Sequence, residues 1–288
     1  MKVILTGATG RIGRVVAQHL VAQRHQLTAI DRQDGPVPAG VELLIGDLTD
    51  LDFVDKSFAG IEAVVHLGSI PSPNDERGYE VFSNNSSATY AVFCAAAQAG
   101  CRVVSYASSL SIYGTAWSPE WTSPAYAPCD EDLPIVYSES YALSKEVNEL
   151  SALMWSRRCD TTFIGFRFPY TDTAEEIMKF AVRIKNGEES ALQQSGKILW
   201  AYLDTRDAAA ALDLSIRSNL VGAHLFNIAA PDTMASKPTA ELLKGYHPTT
   251  KILAPINGFE TIISSKSLES KIGFTPAFFL DREALLYA

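Results

Sequence analysis

Tyr141 and Lys145 stand four residues apart in the run Tyr141-Ala142-Leu143-Ser144-Lys145, within a stretch whose pattern predicts a helix near 138–157, so both side chains share one face. An ammonium beside a phenol favours the phenolate and lowers the tyrosine pKa, which suits Tyr141 to act as a general acid or base near neutral pH. Upstream, the apolar run Arg102-Val103-Val104-Ser105-Tyr106-Ala107 leads into Ser108-Ser109-Leu110-Ser111, setting hydroxyls at the carboxyl end of a predicted strand. Open α/β sheets bind their ligands at such ends. Near the N-terminus a strand-like run enters Thr6-Gly7-Ala8-Thr9-Gly10-Arg11-Ile12-Gly13 and then an amphipathic helix. Glycine lets the backbone turn tightly and approach a pyrophosphate, while the helix's unpaired N–H groups and positive dipole end attract negative charge. The spacing is GxxGxxG, a variant of the GxGxxG dinucleotide fingerprint. Gly7, Gly10, Arg11, Ile12 and Gly13 are therefore candidate cofactor contacts. The second predicted strand ends in Asp31, where a carboxylate accepts a ribose 2′-hydroxyl and repels a 2′-phosphate. That points to NAD. The adjoining Arg32 is the feature that would tolerate NADP instead.

Such groups need a scaffold that aligns strand ends. Short runs rich in Val, Ile and Leu predict strands near 2–6, 27–31, 41–45, 62–67, 102–107 and 161–168, with helices near 11–23, 50–58, 78–99 and 138–157 between them. Alternation of this kind is the pattern of βαβ units and a parallel sheet. The fold class is α/β, a doubly wound Rossmann-type parallel sheet with a small C-terminal substrate lobe. Residues 1–168 are expected to form the NAD-binding domain, completed by about 198–229, where 198–203, 206–217 and 223–228 read strand, helix, strand. Residues 169–197 and 230–288 are assigned to the lobe. Between Gly114 and Ser138, Trp117, Trp121 and Tyr126 alternate with Pro119, Pro124, Pro128 and Pro134. This is too proline-rich for a helix, and it reads either as a self-packed surface excursion or as an aromatic wall over the active site.

The composition narrows the partners. With 33 acidic and 24 basic side chains the net charge is −9, which gives no overall field for nucleic acid or an anionic membrane. No apolar run approaches the roughly 20 residues that span a bilayer, and the chain opens directly on Val3-Ile4-Leu5 without a signal-peptide pattern, so a cytoplasmic location is expected. Cys94, Cys101, Cys129 and Cys159 form no CxxC pair and no zinc spacing with the five histidines. No metal is expected, and the thiols are read as reduced.

In order along the chain come GxxGxxG, Asp31, Gly46-Asp47-Leu48, His66-Leu67-Gly68, Asn85, Ser109 ahead of Tyr113-Gly114, Tyr141/Lys145 and Arg167-Phe168-Pro169. This series resembles the extended short-chain dehydrogenase/reductases, the NAD-dependent epimerase/dehydratase family. Late segments join the likeness: Tyr202–Asp207, Phe226–Ala229 and Lys271–Pro276. The resemblance implies that Tyr141 exchanges a proton with a substrate hydroxyl or carbonyl, Lys145 holds the nicotinamide ribose, and Ser109 orients the substrate oxygen. It implies also that Asp47 and Leu48 lie by the adenine, Leu67 and Gly68 beside the cofactor backbone, and Phe168 and Pro169 near the carboxamide. Asn85 is expected to support strand and helix geometry; Asp47, Asp204 and Asp207 also fit plain capping or turn roles. Ser69, Ser111, Tyr170 and Arg206 are candidate substrate contacts. Family members dimerise through helices like those near 78–99 and 138–157, so a homodimer is expected.

The scaffold alone does not choose the reaction. Dehydratases of this type carry Asp-Glu after the hydroxyl residue, where this chain has Leu110 and Ser111. Galactose-type epimerases commonly place Asn three residues after the sixth-strand Arg, where this chain has Tyr170. A partial likeness to uronate dehydrogenases lies in the His66-Leu67-Gly68 turn and the compact length. Their carboxylate-binding arginine has no clear counterpart, Lys179, Arg183 and Arg206 being the candidates. The expected activity is an NAD-dependent oxidoreductase acting on a sugar, sugar acid or similar small hydroxy or carbonyl compound. The alternatives are a nucleotide-sugar 4-epimerase with tightly bound NAD, and a non-catalytic NAD-binding sensor, against which stands the intact Ser109, Tyr141 and Lys145 set.

Overall fold

Val3, Ile4 and Leu5 are fully buried in β1 (Lys2–Thr6), an inner strand of a seven-stranded sheet, as their uninterrupted apolar run demands. The computed structural model describes residues 1–73 and 77–287. From β1 the chain crosses through α1 (Arg11–Ala22) to β2 (Gln26–Asp31) and on to β3 (Glu42–Ile45). It then returns through α2 (Leu51–Ser57) to β4 (Ala63–His66) on the other side of β1, and continues outward through α3 (Gly78–Gln98) and β5 (Val103–Ser109). After α4 (Ser140–Ser156), β7 (Thr162–Phe168) and β10 (Ala223–Asn227) complete the order β10-β7-β5-β4-β1-β2-β3. The pairs β1–β2, β2–β3, β1–β4 and β4–β5 are parallel. The reversal of winding between β1 and β4 is the switch point at which sheets of this kind bind ligands.

Two compact units make up the chain. The first comprises Met1–Ser108, Glu139–Phe166 and Ala208–Leu225. Its core is aromatic at the centre: Phe93 of α3 packs against Tyr106 at 5.1 Å and Phe163 at 5.0 Å between ring centroids. Helix termini there are capped by acid side chains. Asp50 accepts from the amides of Asp52 and Phe53 at the start of α2, and Glu139 from those of Tyr141 and Ala142 at the start of α4.

The second unit comprises Ser109–Ser138, Arg167–Asp207 and Phe226–Ala288. It includes a 3₁₀ turn (Leu110–Tyr113) and two small parallel sheets. One joins β6 (Tyr126–Ala127) to β11 (Lys251–Ile252), the other β8 (Tyr170–Asp172) to β9 (Tyr202–Asp204). Its helices are α5 (Ala174–Lys185), α6 (Glu189–Lys197), α8 (Thr239–Tyr246), α9 (Lys266–Ile272) and α10 (Arg282–Tyr287), while α7 (Thr205–Arg217) starts here and runs into the first unit. Residues 109–138 and 198–207, read from sequence with the nucleotide-binding part, fall in this unit.

The strand expected over 198–203 is reduced to Tyr202–Asp204, outside the main sheet. Leu199 and Trp200 adopt left-handed φ values of 58° and 54°, and the amides of Ile198, Leu199 and Trp200 donate back to Gln194, Gly196 and Ser195. The apolar run is thus a buried helix exit, with Trp200 in the core of the unit. The 114–138 segment is packed within the same unit. The Trp121 indole N–H donates to the Tyr246 carbonyl at 2.6 Å, and its ring stacks on His247 at 5.5 Å. Among the described residues no helix is long and apolar enough to cross a membrane.

Candidate active site

The glycine turn is built by close backbone approach. Gly7 has φ +68°, and a Cβ there would lie 2.8 Å from backbone atoms of Leu67 and Gly68, so the turns after β1 and β4 touch main chain to main chain. Below them Thr6 Oγ1 accepts from the amides of Leu67 and Gly68 and contacts His66 Nδ1 at 2.7 Å. His66 Nε2 meets Thr89 Oγ1, and burial pushes the ring's pKa down to about 3, so this histidine is a neutral strut. A Cβ on Gly13 would sit 2.0 Å from the Gly7 carbonyl oxygen. Gly10 differs. It caps the N-terminus of α1 without a side-chain hydrogen bond, and among the described residues its added Cβ would meet only that same oxygen, at 3.2 Å. A cradle that a single methyl would enter, at a helix N-terminus, fits a dinucleotide pyrophosphate. Arg11 is exposed and Ile12 half-buried in the first turn of that helix.

Asp31 closes the far side. Its Oδ2 accepts from Thr9 N at 2.9 Å and its Oδ1 from Arg32 N at 2.7 Å, which leaves acceptor capacity for a ribose hydroxyl. The Arg32 guanidinium reaches Asn84 Oδ1 at 3.4 Å and Asp47 at 4.0 Å. Asp47 itself accepts from the amide and hydroxyl of Thr49, both at 2.8 Å, and these bonds hold its pKa below the ordinary value. It forms the turn foreseen as its plain role, while standing on the same edge as Arg32. Leu48 packs under Gly68, whose added Cβ would collide with its Cδ1 at 2.6 Å. Asn85 bridges the amide and carbonyl of Ile70 at 2.8 and 3.0 Å, the supporting role expected of it.

In the first unit, α4 brings Tyr141 and Lys145 together as the spacing demands. Lys145 Nζ lies 5.3 Å from the Tyr141 ring centroid and donates to Ala107 O at 3.0 Å and Ser69 Oγ at 3.4 Å. The lysine is 2% exposed, and burial lowers its pKa from 10.5 to about 8. Below that pH the folded protein holds an ammonium in a dry site that the unfolded chain would solvate. The folded-state pKa is depressed, so this cost is present in full below about 8 and disappears as pH rises toward 10.5. Lys145→Met should therefore abolish activity yet be the more stable protein at pH 7, by up to ~3 kcal/mol at 1.36 kcal/mol per pKa unit. Urea melts of both proteins check this: the gap must shrink from pH 8 to pH 10, and a constant gap would refute it.

The remaining sites lie at the start of the second unit and beyond. Ser109 is the N-cap of the 3₁₀ turn, its Oγ accepting from Ser111 N at 3.1 Å. Ser111 is buried, and its hydroxyl has no hydrogen-bond partner among the described residues. Tyr113 OH donates to Asn227 Oδ1 and accepts from Arg167 Nη1, each at 2.8 Å, and Arg167 also donates to the Glu131 carbonyl at 3.0 Å. Asn227 N donates to the Glu131 carboxylate at 2.8 Å. This buried network holds the turn that carries Ser109 and begins the Arg167-Phe168-Pro169 segment, in which Phe168 is buried and Pro169 half-buried. Tyr170 donates to Asp172 and packs edge-on against Phe180. Arg206 is engaged locally, bidentate to Asp204 at 2.9 and 2.8 Å, with its guanidinium 3.7 Å from the Phe278 ring centroid. Lys179 pairs with Glu175 and Glu176, and Arg183 with Glu188. Asp204 caps α7 through Arg206 N, while Asp207 accepts from the amides of Ala277 and Phe278, tying down the C-terminal segment.

Sequence reading passed over Glu131, Glu139 and Glu149. Glu149 had a signal: it continues the four-residue spacing of Tyr141 and Lys145 on α4. Glu131 and Glu139 had none, since their partners are set by chain packing or by a helix start defined only in three dimensions.

Known proteins are similar to this chain in sequence and fold. A UDP-glucose 4-epimerase of Corynebacterium glutamicum is 23% identical over 307 aligned positions, covering 96% of this chain and 91% of its own. A uronate dehydrogenase of Pseudomonas syringae pv. tomato is 29% identical over 169 positions, 58% of each chain, in line with the partial likeness read from the sequence. Among solved structures, a short-chain dehydrogenase/reductase superfamily protein from Agrobacterium tumefaciens with bound NAD superposes with a TM-score of 0.74 at 22% identity. That alignment covers 99% of this chain and 96% of the other, and shows a common fold. The model of the NAD dependent epimerase/dehydratase family matches residues 3–229. With four-fifths of its length under that match, the chain belongs to the NAD-dependent epimerase/dehydratase family.

Proposed function

We propose that the protein is an NAD-dependent oxidoreductase that interconverts a hydroxyl and a carbonyl on a sugar, a sugar acid or a similar small compound. The observation that carries this reading is the burial of Lys145 against the Tyr141 ring, a dry ammonium that stabilises a phenolate. Tyr141 takes the proton from the substrate hydroxyl in oxidation and returns it in reduction; Ser109 orients the substrate oxygen. NAD, when bound, supplies or accepts the hydride. Gly7, Gly10 and Gly13 would seat its pyrophosphate, Asp31 its adenosine ribose, and Lys145 its nicotinamide ribose. A small substrate is favoured because Lys179, Arg183 and Arg206 are each paired with carboxylates of their own neighbourhood and offer no diphosphate clamp. The second reading, a nucleotide-sugar 4-epimerase, is favoured by the Corynebacterium relative, which spans nearly the whole chain.

The test is to mix the protein with NAD or NADP and a panel of aldoses, uronic acids, polyols and UDP-sugars. Net formation of reduced nicotinamide with a free sugar or acid is expected. Absence of net reduction, with conversion of a UDP-sugar to its 4-epimer, would establish the second reading. Asp31 also makes a prediction about the cofactor. Asp31→Ser removes the repulsion toward a 2′-phosphate and a charge-assisted bond to the 2′-hydroxyl, a loss of about 1.5 kcal/mol or more for NAD. The ratio of kcat/KM for NAD to that for NADP should fall at least about tenfold; an unchanged ratio would remove Asp31 from the cofactor site. The protein is further proposed to be a homodimer through α3 and α4, where Tyr90, Leu143, Leu150 and Leu153 are exposed.

A further inference from the structure

Two bonds link α4 to the end of β5 at consecutive strand residues. Lys145 Nζ donates to the carbonyl of Ala107, and the hydroxyl of the buried Ser108 donates to the carboxylate of Glu149, one helical turn beyond the lysine. Ser109 is the next and last residue of the strand. The described contacts of the ammonium are otherwise neutral. Ala107 O and Ser69 Oγ accept from it, the Tyr141 ring lies beside it on α4, and His66 on β4 is kept uncharged by its burial. Among the described titratable groups facing Lys145, these leave Glu149 as the one carboxylate that acts on it. A buried ammonium without a countercharge sheds its proton rather than bear the desolvation cost.

We propose that Glu149 is a positioning residue that acts through Lys145: its carboxylate, aimed by the Ser108 hydroxyl, compensates the buried ammonium and locks the Tyr141–Lys145 helix to Ala107 and Ser108 of β5. The inference rests on the functional reading above only in what the pair is for. Burial lowers the Lys145 pKa and Glu149 raises it. Removing the carboxylate therefore lowers it further, into the range where much of the lysine is a neutral amine at working pH. A neutral amine no longer favours the Tyr141 phenolate.

The experiment is an NMR titration of the lysine side chains in the isotope-labelled apoprotein, with the Lys145 signal assigned by its loss in Lys145→Met. It is run on wild type, Glu149→Gln and Ser108→Ala, beside pH profiles of kcat/KM. Glu149→Gln should lower the Lys145 midpoint by about one pH unit, the low end for an adjacent opposite charge, and carry the alkaline limb of the profile down with it. Ser108→Ala keeps the carboxylate and should move the midpoint by less than half as much. An unchanged midpoint in Glu149→Gln, with activity merely reduced, would overturn the proposal and leave a structural role. Should Glu149→Gln fail to fold, the double variant Lys145→Met/Glu149→Gln decides. Its folding supports action through the lysine, and its failure to fold refutes it. The titration needs neither cofactor nor substrate, so a shifted midpoint in a protein without dehydrogenase activity would sink the functional reading and spare this one.

Discussion

Tyr141→Phe should lose at least about a hundredfold in turnover, the low end of what general acid-base catalysis contributes, while its dissociation constant for NADH stays within about twofold of the parent. The variant keeps the ring, which is buried at 9% exposure and stands beside the Lys145 ammonium, and deletes only the hydroxyl. Cofactor contacts assigned to the glycine turn, Asp31 and Lys145 are untouched, so the loss belongs in kcat. Steady-state kinetics with the sugar identified in the substrate panel, together with NADH fluorescence titration, separates the two quantities. Turnover near the parent's would remove Tyr141 from the chemistry. A collapse of NADH binding would show instead that the phenol is a cofactor anchor.

Gly13→Ala should abolish measurable NAD binding and destabilise the protein by about 3 kcal/mol or more, the upper range for forced overpacking. Its new methyl would lie 2.0 Å from the Gly7 carbonyl oxygen and 2.9 Å from the Ala8 Cα. All of these are main-chain atoms, so no rotamer relieves the clash and α1 must move off the turn. Gly10→Ala is the instructive control. It has an ordinary φ of −68°, and its methyl would press only on the Gly7 oxygen, at 3.2 Å. It should melt within about 1 kcal/mol of the parent yet bind NAD at least tenfold more weakly, because the methyl occupies space assigned to the pyrophosphate. Denaturant melts and calorimetric NAD titrations of both variants provide the check. Wild-type affinity in Gly13→Ala would mean that the turn does not hold the cofactor.

What the sequence determined by itself is what depends on short stretches of chain. The runs at 2–6, 27–31, 41–45, 62–67, 102–107 and 161–168 became strands of the main sheet to within two residues at each end, because inner parallel strands such as β1 and β4 need nearly continuous apolar runs. The glycine turn, the four-residue step from Tyr141 to Lys145 and the capping roles of Asp47 and Asp204 were legible for the same reason: each is geometry within one or two turns of backbone. Tertiary structure alone decided the rest. The run at 198–203 has strand-like composition, yet burying Trp200 at a left-handed helix exit won over pairing in the sheet. Arg206 could not be told from a substrate anchor until Asp204 and the Phe278 ring were seen to hold it. The Ser108–Glu149 clamp spans 41 positions and the Tyr113–Asn227 bond 114. No periodicity reports such pairs, since the loop-closure cost between them is recovered only when the whole sheet forms.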